Sequence, residues 1–376
     1  MTDFFPEFED WGGFVSALGN VVNLEATARE AGAFLRSRKV GDVQSLLRLA
    51  MLYGPCGFSL RSTSAWAASA GIAELSDVGI LKRLRGSANW LETICQRLLA
   101  DKVEVPSPDR PVVSLVDGTT ITGAGNNGQE WRLHCRYGSS GKFQAIEITD
   151  KHCGESYKHF QVQAGDIVIG DRAYARPSGL EHILESGADF IVRSGWRAFS
   201  LSSPNGDTFS LSDALATVIP DQTADITVAI RTKGRLLPAR LILRAKPEEA
   251  RAAEVKRIQN KQHRNRRVGD PRSIEAAGFI IIVTSLDATV FDADEVLALY
   301  RTRWQIELAF KRLKSLIHVG RLPAKDPDLA KAWLYSHLIF ALLIDSLSSN
   351  ALDSPPCRTG YQTTLPVNLA GPAPAD

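Results

Sequence analysis

Residues 292–320, DADEVLALYRTRWQIELAFKRLKSLIHVG, constrain the fold of this chain more than any other stretch. The spacing predicts one long helix. Asp292 with Glu295 three residues on reads as a capping box, and Gly320 is a natural stop. At about 100° per residue, Tyr300, Arg303, Glu307 and Lys314 fall within about 60° of one another. Leu299, Ile306, Phe310, Leu313 and Ile317 form an apolar stripe beside them. Such a helix packs one face on a core and turns a phenol, a carboxylate and two cations to the side. The plain reading of that polar face is a solvated surface with ion pairs one turn apart.

The apolar stripe needs a core to pack on. At 376 residues, 44% hydrophobic and 23% charged, the chain has enough for two or three globular domains. A formal net charge of +2 does not demand a nucleic-acid partner, so local charge carries that question. No apolar run reaches the roughly 18 residues of a membrane span, and LIFALLI at 338–344 reads as core. The five cysteines, Cys56, Cys95, Cys135, Cys153 and Cys357, contain no CxxC pair. An odd, scattered set fits reduced thiols in a cytoplasm. The acidic start, MTDFFPEFEDW, lacks a signal-peptide core. His134, His152, Cys153 and His159 match no common zinc spacing, which argues against zinc.

Residues 1–105 read as helical. Within them, 60–85 has a helix-turn-helix rhythm, with Gly71 at the turn and Lys82, Arg83 and Arg85 closing the second helix. This is either a DNA-reading pair or an ordinary helical hairpin with a basic last turn. Pro106, Pro108 and Pro111 then mark a linker. Val112 to Val116 predicts a buried strand with Asp117 at its end and Gly118 beside it. A strand-end carboxylate either faces a ligand or closes an Asx-turn. Residues 131–138 and 142–149 read as two antiparallel strands. Asp166 to Ile169 predicts another strand ending at Asp171, then a helix over 178–185 and a strand over 189–193, a right-handed βαβ unit. Residues 196–277 change character, with turn signals, strands at 226–232 and 236–245, and a charged helical stretch. Six Lys or Arg and no acid lie between Lys256 and Arg267. That run is either a solvated face or the lining of a DNA channel. Residues 278–286 return as a buried strand, a last helix covers about 329–347, and 353–376 reads as a disordered, Pro- and Gly-rich tail.

Three of these stretches together resemble a family of bacterial insertion-sequence transposases, the DDE transposases of RNase H-like (retroviral-integrase) fold. They are the Asp117 strand, the DRAY of 171–174 with its helix and the FIVR of 190–193, and the 300–314 helix. That helix runs Tyr, two residues, Arg, three residues, Glu, six residues, Lys. The likeness covers 110–350. It implies an α/β fold, with an RNase H-like core at 106–352 carrying a β-rich insertion at about 196–277. An all-helical DNA-binding domain at 1–105 would precede that core.

The resemblance also implies chemistry. Asp117, Asp171 and Glu307 would be the catalytic, metal-binding carboxylates, gathered from a first strand, a fourth strand and a late helix. Mg2+ or Mn2+ would offset their repulsion, and two ions about 3.5–4 Å apart would support phosphodiester cleavage and strand transfer. Tyr300, Arg303, Lys314, Arg172, Arg193, Lys82 and Arg83 would contact DNA. Trp304 reads most simply as a half-buried core residue, and the resemblance adds stacking on a flipped base. The implied partners are double-stranded DNA, as terminal inverted repeats and target, and a second copy in a synaptic homodimer. The tail departs from the family pattern and leaves a rival reading, an inactive or truncated end-binding protein that regulates transposition.

Overall fold

The structure is a computed structural model and describes residues 11–100, 111–122, 131–139, 141–264, 270–316 and 322–351. The expected tail at 353–376, the proline linker before residue 111, and Ile317 and Gly320 lie outside the described residues.

The described N-terminal residues form α1 (Trp11–Gly19), α2 (Leu24–Glu30), α3 (Val43–Tyr53), α4 (Leu60–Ser69), α5 (Asp77–Gly86) and α6 (Ala88–Ala100). Asn23, Asp42, Ser59 and Ser76 each cap the helix that follows by accepting a backbone N–H. The helix-turn-helix rhythm becomes α4 and α5, with Gly71 at φ +66. The Trp90 indole donates to Thr27 Oγ1 at 3.1 Å and ties α6 to α2.

The strands are β1 (Val112–Ile121), β2 (Trp131–Gly138), β3 (Phe143–Asp150), β4 (Asp166–Gly170), β5 (Asp189–Arg193), β6 (Leu201–Ser202), β7 (Thr223–Arg231), β8 (Leu236–Ala245) and β9 (Phe279–Thr284). They join one nine-stranded sheet in the order β3-β2-β1-β4-β5-β9-β8-β7-β6. β1, β4 and β5 run parallel, and every other neighbouring pair is antiparallel. α7 (Pro177–Glu185) makes the crossover from β4 to β5. The remaining helices are α8 (Leu211–Ala216), α9 (Glu248–Arg264), α10 (Pro271–Ala277), α11 (Ala293–Arg301), α12 (Trp304–Leu316) and α13 (Pro327–Ala351). The strands of the 196–277 region extend the core sheet rather than form a sheet of their own, because β9 pairs with β8 on one side and β5 on the other.

Alternation along the strands divides the interior into two layers. Leu115, Leu133, Cys135 and Ile169 pack with the N-terminal helices and α11–α13. Val116, Val168, Phe190 and Val192 pack with Tyr157, Leu180, Ile183 and Leu241 on the other side. No described helix is long and apolar enough to cross a membrane.

Two local expectations change. The 292–320 helix is broken. Asp292 and Glu295 do form the capping box, but α11 stops at Arg301. Thr302 Oγ1 donates to Leu299 O at 2.7 Å, and the Arg303 N–H donates to Tyr300 O at 3.1 Å. A threonine hydroxyl bonding back to the main chain competes with the helical ladder, and α12 restarts at Trp304. The second change concerns β1. It pairs with β4 only over Val112–Val116, yet continues to Ile121 because β2 still supplies partners. Asp117 therefore lies within a strand, where one neighbour stops and the other goes on.

Candidate active site

The β1–β4 register pairs Val116 with Gly170, so Asp117 and Asp171 are the next residues on two adjacent parallel strands. Asp117 is largely buried, and its Oδ1 accepts the Gly118 N–H at 2.8 Å. Asp171 caps a 3-10 turn, Arg172–Tyr174, by accepting the Ala173 N–H at 2.8 Å. Only glycine fits before Asp171: a Cβ at Gly170 would collide with Tyr157 Oη and lie 2.9 Å from Tyr174 Cβ.

Arg303 joins the third carboxylate to this pair. Its Nη2 donates to Glu307 Oε1 at 2.6 Å, and its Nη1 lies 3.9 Å from Asp117 Oδ2. The break before Trp304 places Arg303 between the two. Its guanidinium also sits 5.9 Å from the Tyr300 ring centroid. Tyr300 Oη and Arg303 Nε are buried without a hydrogen-bond partner. Burial raises the Asp117 carboxyl to about 6. The charge of Asp171 adds to this, while the Gly118 N–H and Arg303 act against it. Glu307 remains half exposed at 49% of its side chain, which leaves it room to swing.

The structure brings Asp117, Asp171, Tyr300, Arg303 and Glu307 to one place. Lys314 lies on α12, two turns beyond Glu307, and its side chain is outside the described set. Arg193 and Trp304 line an adjoining cavity of about 340 Å³ with Tyr300 and Arg303. Trp304 is 55% exposed rather than half buried in the core, because the helix break turns the start of α12 away from the apolar stripe. Arg172 is exposed beside this cavity's cations. Desolvation, then Arg193, disfavours its charged form, with Glu254 acting in the opposite sense. Lys82 and Arg83 lie on α5, the former exposed and the latter partly covered, outside the carboxylate group.

Sequence reasoning missed several charges here. Arg244, Lys246 and Arg301 line the cavity, and Glu155 packs its side chain against Gly118 while 3.6 Å from Arg132. Arg244, Lys246 and Glu155 arrive through β8, its following turn and the loop before β4, and Arg301 closes α11. No local spacing announces Arg244, Lys246 or Glu155.

Residues 108–343 match the family model described as the transposase DDE domain. The chain is 38% identical over 362 residues to the InsL protein of insertion sequence element IS186A from Escherichia coli strain K12, an alignment covering 94% of this chain and 98% of that protein. The chain belongs to the insertion-sequence DDE transposases. The transposase of IS421 from Escherichia coli is also 38% identical, over 363 residues, with 94% of this chain and 98% of that one covered. The transposase of IS231F from Bacillus thuringiensis subsp. israelensis is more distant, at 23% over 200 residues, 49% of this chain and 42% of that one. Membership makes the chain a DNA-cutting and joining enzyme of a class that uses divalent metal, and the mixed α/β sheet is the RNase H-like fold of that class.

Proposed function

We propose that Asp117, Asp171 and Glu307 hold Mg2+ or Mn2+ and that the chain cuts and rejoins DNA at the ends of an insertion sequence. One observation carries this reading. The strand register sets Asp117 beside Asp171, and Arg303 spans from Asp117 to Glu307. The donor set suits a hard cation: carboxylate oxygens, one of them pushed toward protonation by burial and a like charge. When bound, such ions activate the attacking oxygen and stabilise the leaving one.

The remaining residues have separable tasks. Arg303 neutralises Asp117 and Glu307, and would be free for a phosphate if Glu307 held a cation. The unpartnered Tyr300 hydroxyl donates to a phosphate oxygen. Arg193, Arg172 and Lys314 neutralise the DNA backbone near the cut, and exposed Trp304 offers a stacking face to an unpaired base. Lys82 and Arg83 on α5 contact phosphates at the terminal repeats, and two copies pair the ends in a synaptic homodimer.

The test is cleavage of DNA carrying the terminal repeats, with Mg2+ or Mn2+. Asp117→Ala, Asp171→Ala and Glu307→Ala should each abolish nicking and joining while end binding persists. End binding by the native chain with no metal-dependent nicking would replace this reading with that of a regulatory end-binding protein. Nicks without joined products would reduce it to a nuclease.

A further inference from the structure

A second group of ligand-type side chains lies on the opposite face of the strands that carry Asp117. His134 stands on β2, across from Gly118 on β1. Cys153 and His159 come from the segment between β3 and β4. One ligand atom from each of the three lies within 4.8 Å of the others. The sequence spacing matches no common pattern because the three are collected by a strand pairing and a loop, not by one short motif.

We infer that His134, Cys153 and His159 form a binding site for a soft divalent cation such as Zn2+, separate from the three-carboxylate centre. Cys153 Sγ lies 3.7 Å from His159 Nε2. Two ligands of one tetrahedral zinc ion, with bonds of about 2.3 and 2.0 Å, stand about 3.5 Å apart. Glu147 Oε2 lies 2.8 Å from His159 Nδ1 and orients the ring so that Nε2 faces the sulfur. A carboxylate behind a ligating imidazole is the usual arrangement at such sites. His134 is fully buried, and its Nδ1 has no hydrogen-bond partner. Its Nε2 is 2.8 Å from Thr149 Oγ1.

The His134 and His159 rings stack with centroids 4.1 Å apart, so an ion cannot lie in both ring planes as they stand. His134 closes the site by turning about its Cβ–Cγ bond, which exchanges the Thr149 contact for the metal. His159 Nε2 also lies 2.9 Å from the Gly154 carbonyl oxygen, a contact that the ion would replace. The role is structural: the ion fastens the 153–159 segment, which includes the Glu155 that packs on Gly118, to the back of the catalytic strands.

The experiment uses the full chain without a histidine tag. Zinc content is measured after dialysis against excess Mg2+, and Co2+ replaces zinc to reveal thiolate ligation by its charge-transfer absorption. We expect one ion per chain, a thiolate-to-cobalt band, and a melting temperature that falls on chelation. Cys153→Ser and His159→Gln should remove the ion, the band and the chelator response, and Glu147→Gln should weaken binding by about 10-fold. Asp117→Asn should leave all of these unchanged. No retained ion, retention undiminished in Cys153→Ser, or loss in Asp117→Asn alone would each overturn the inference. The last result would place the ion among the carboxylates instead.

Discussion

The two sides of the candidate site carry opposite charge for different structural reasons. On the β1–β4 side, Asp117 and Asp171 are neighbours because each follows directly on the last parallel pair, Val116 with Gly170. On the β5–β9–β8 side, Arg193, Arg244 and Lys246 line a cavity with Tyr300, Arg303 and Trp304. Those cations meet because β8 continues the same sheet through β9. Arg303 stands at the seam and lines the cavity while it reaches both Asp117 and Glu307. The acidic half is built by local strand pattern and the basic half by distant pairing. On the proposed reading, a phosphate backbone crossing the seam would meet the carboxylates on one side and the cations on the other.

The strongest way to break this division is Gly170→Ala. The new methyl has no space between Tyr157 and Tyr174, so β4 must shift and Asp171 with it. We expect metal-dependent cleavage to fall by 100-fold or more (about 3 kcal/mol) and stability to fall by about 1–3 kcal/mol. Tyr157→Phe in the same chain should restore part of both. Cleavage assays and denaturant titrations read the two effects.

A smaller effect isolates the acidic half. Asp117 keeps its proton to about pH 6, against an ordinary 3.8. Between those values the folded chain holds a proton the unfolded chain has lost, so metal-free stability falls as pH rises through this window. Asp117→Asn should flatten that slope, a difference on the order of 2 kcal/mol between pH 4 and 7.

The smallest effects probe the basic half. Arg193→Ala should weaken DNA binding about equally for all sequences and lower the salt slope by about one. Glu254 is held ionised chiefly by its hydrogen bond from Arg257, with Lys246 and Arg172 contributing. Removing this counter-charge with Glu254→Gln should tighten binding a few-fold and steepen the salt slope. Fluorescence anisotropy over a salt series separates the two.

The same contrast explains what could be read from the residues in order. Apolar runs bounded by turn signals gave β2 and β5 to the residue, and the capping box at Asp292 was plain. Asp117 and Asp171 were visible as carboxylates after apolar strands. The extension of β1 beyond Asp117 was not, since it depends on a partner in β2. The break at Thr302 was hidden because its hydroxyl acts on a ladder whose periodicity is unbroken in the sequence. The exposure of Trp304 follows from that break. The cation cavity and the His134, Cys153 and His159 group depend on pairings between distant segments, which no local pattern records.

The most direct test of the central claim is Mn2+ binding to the full chain, followed by electron paramagnetic resonance. Asp117→Asn, Asp171→Asn and Glu307→Gln should each lower occupancy of a shared site, while Cys153→Ser should not. Binding that survives intact in any one of the three carboxylate variants would contradict the account.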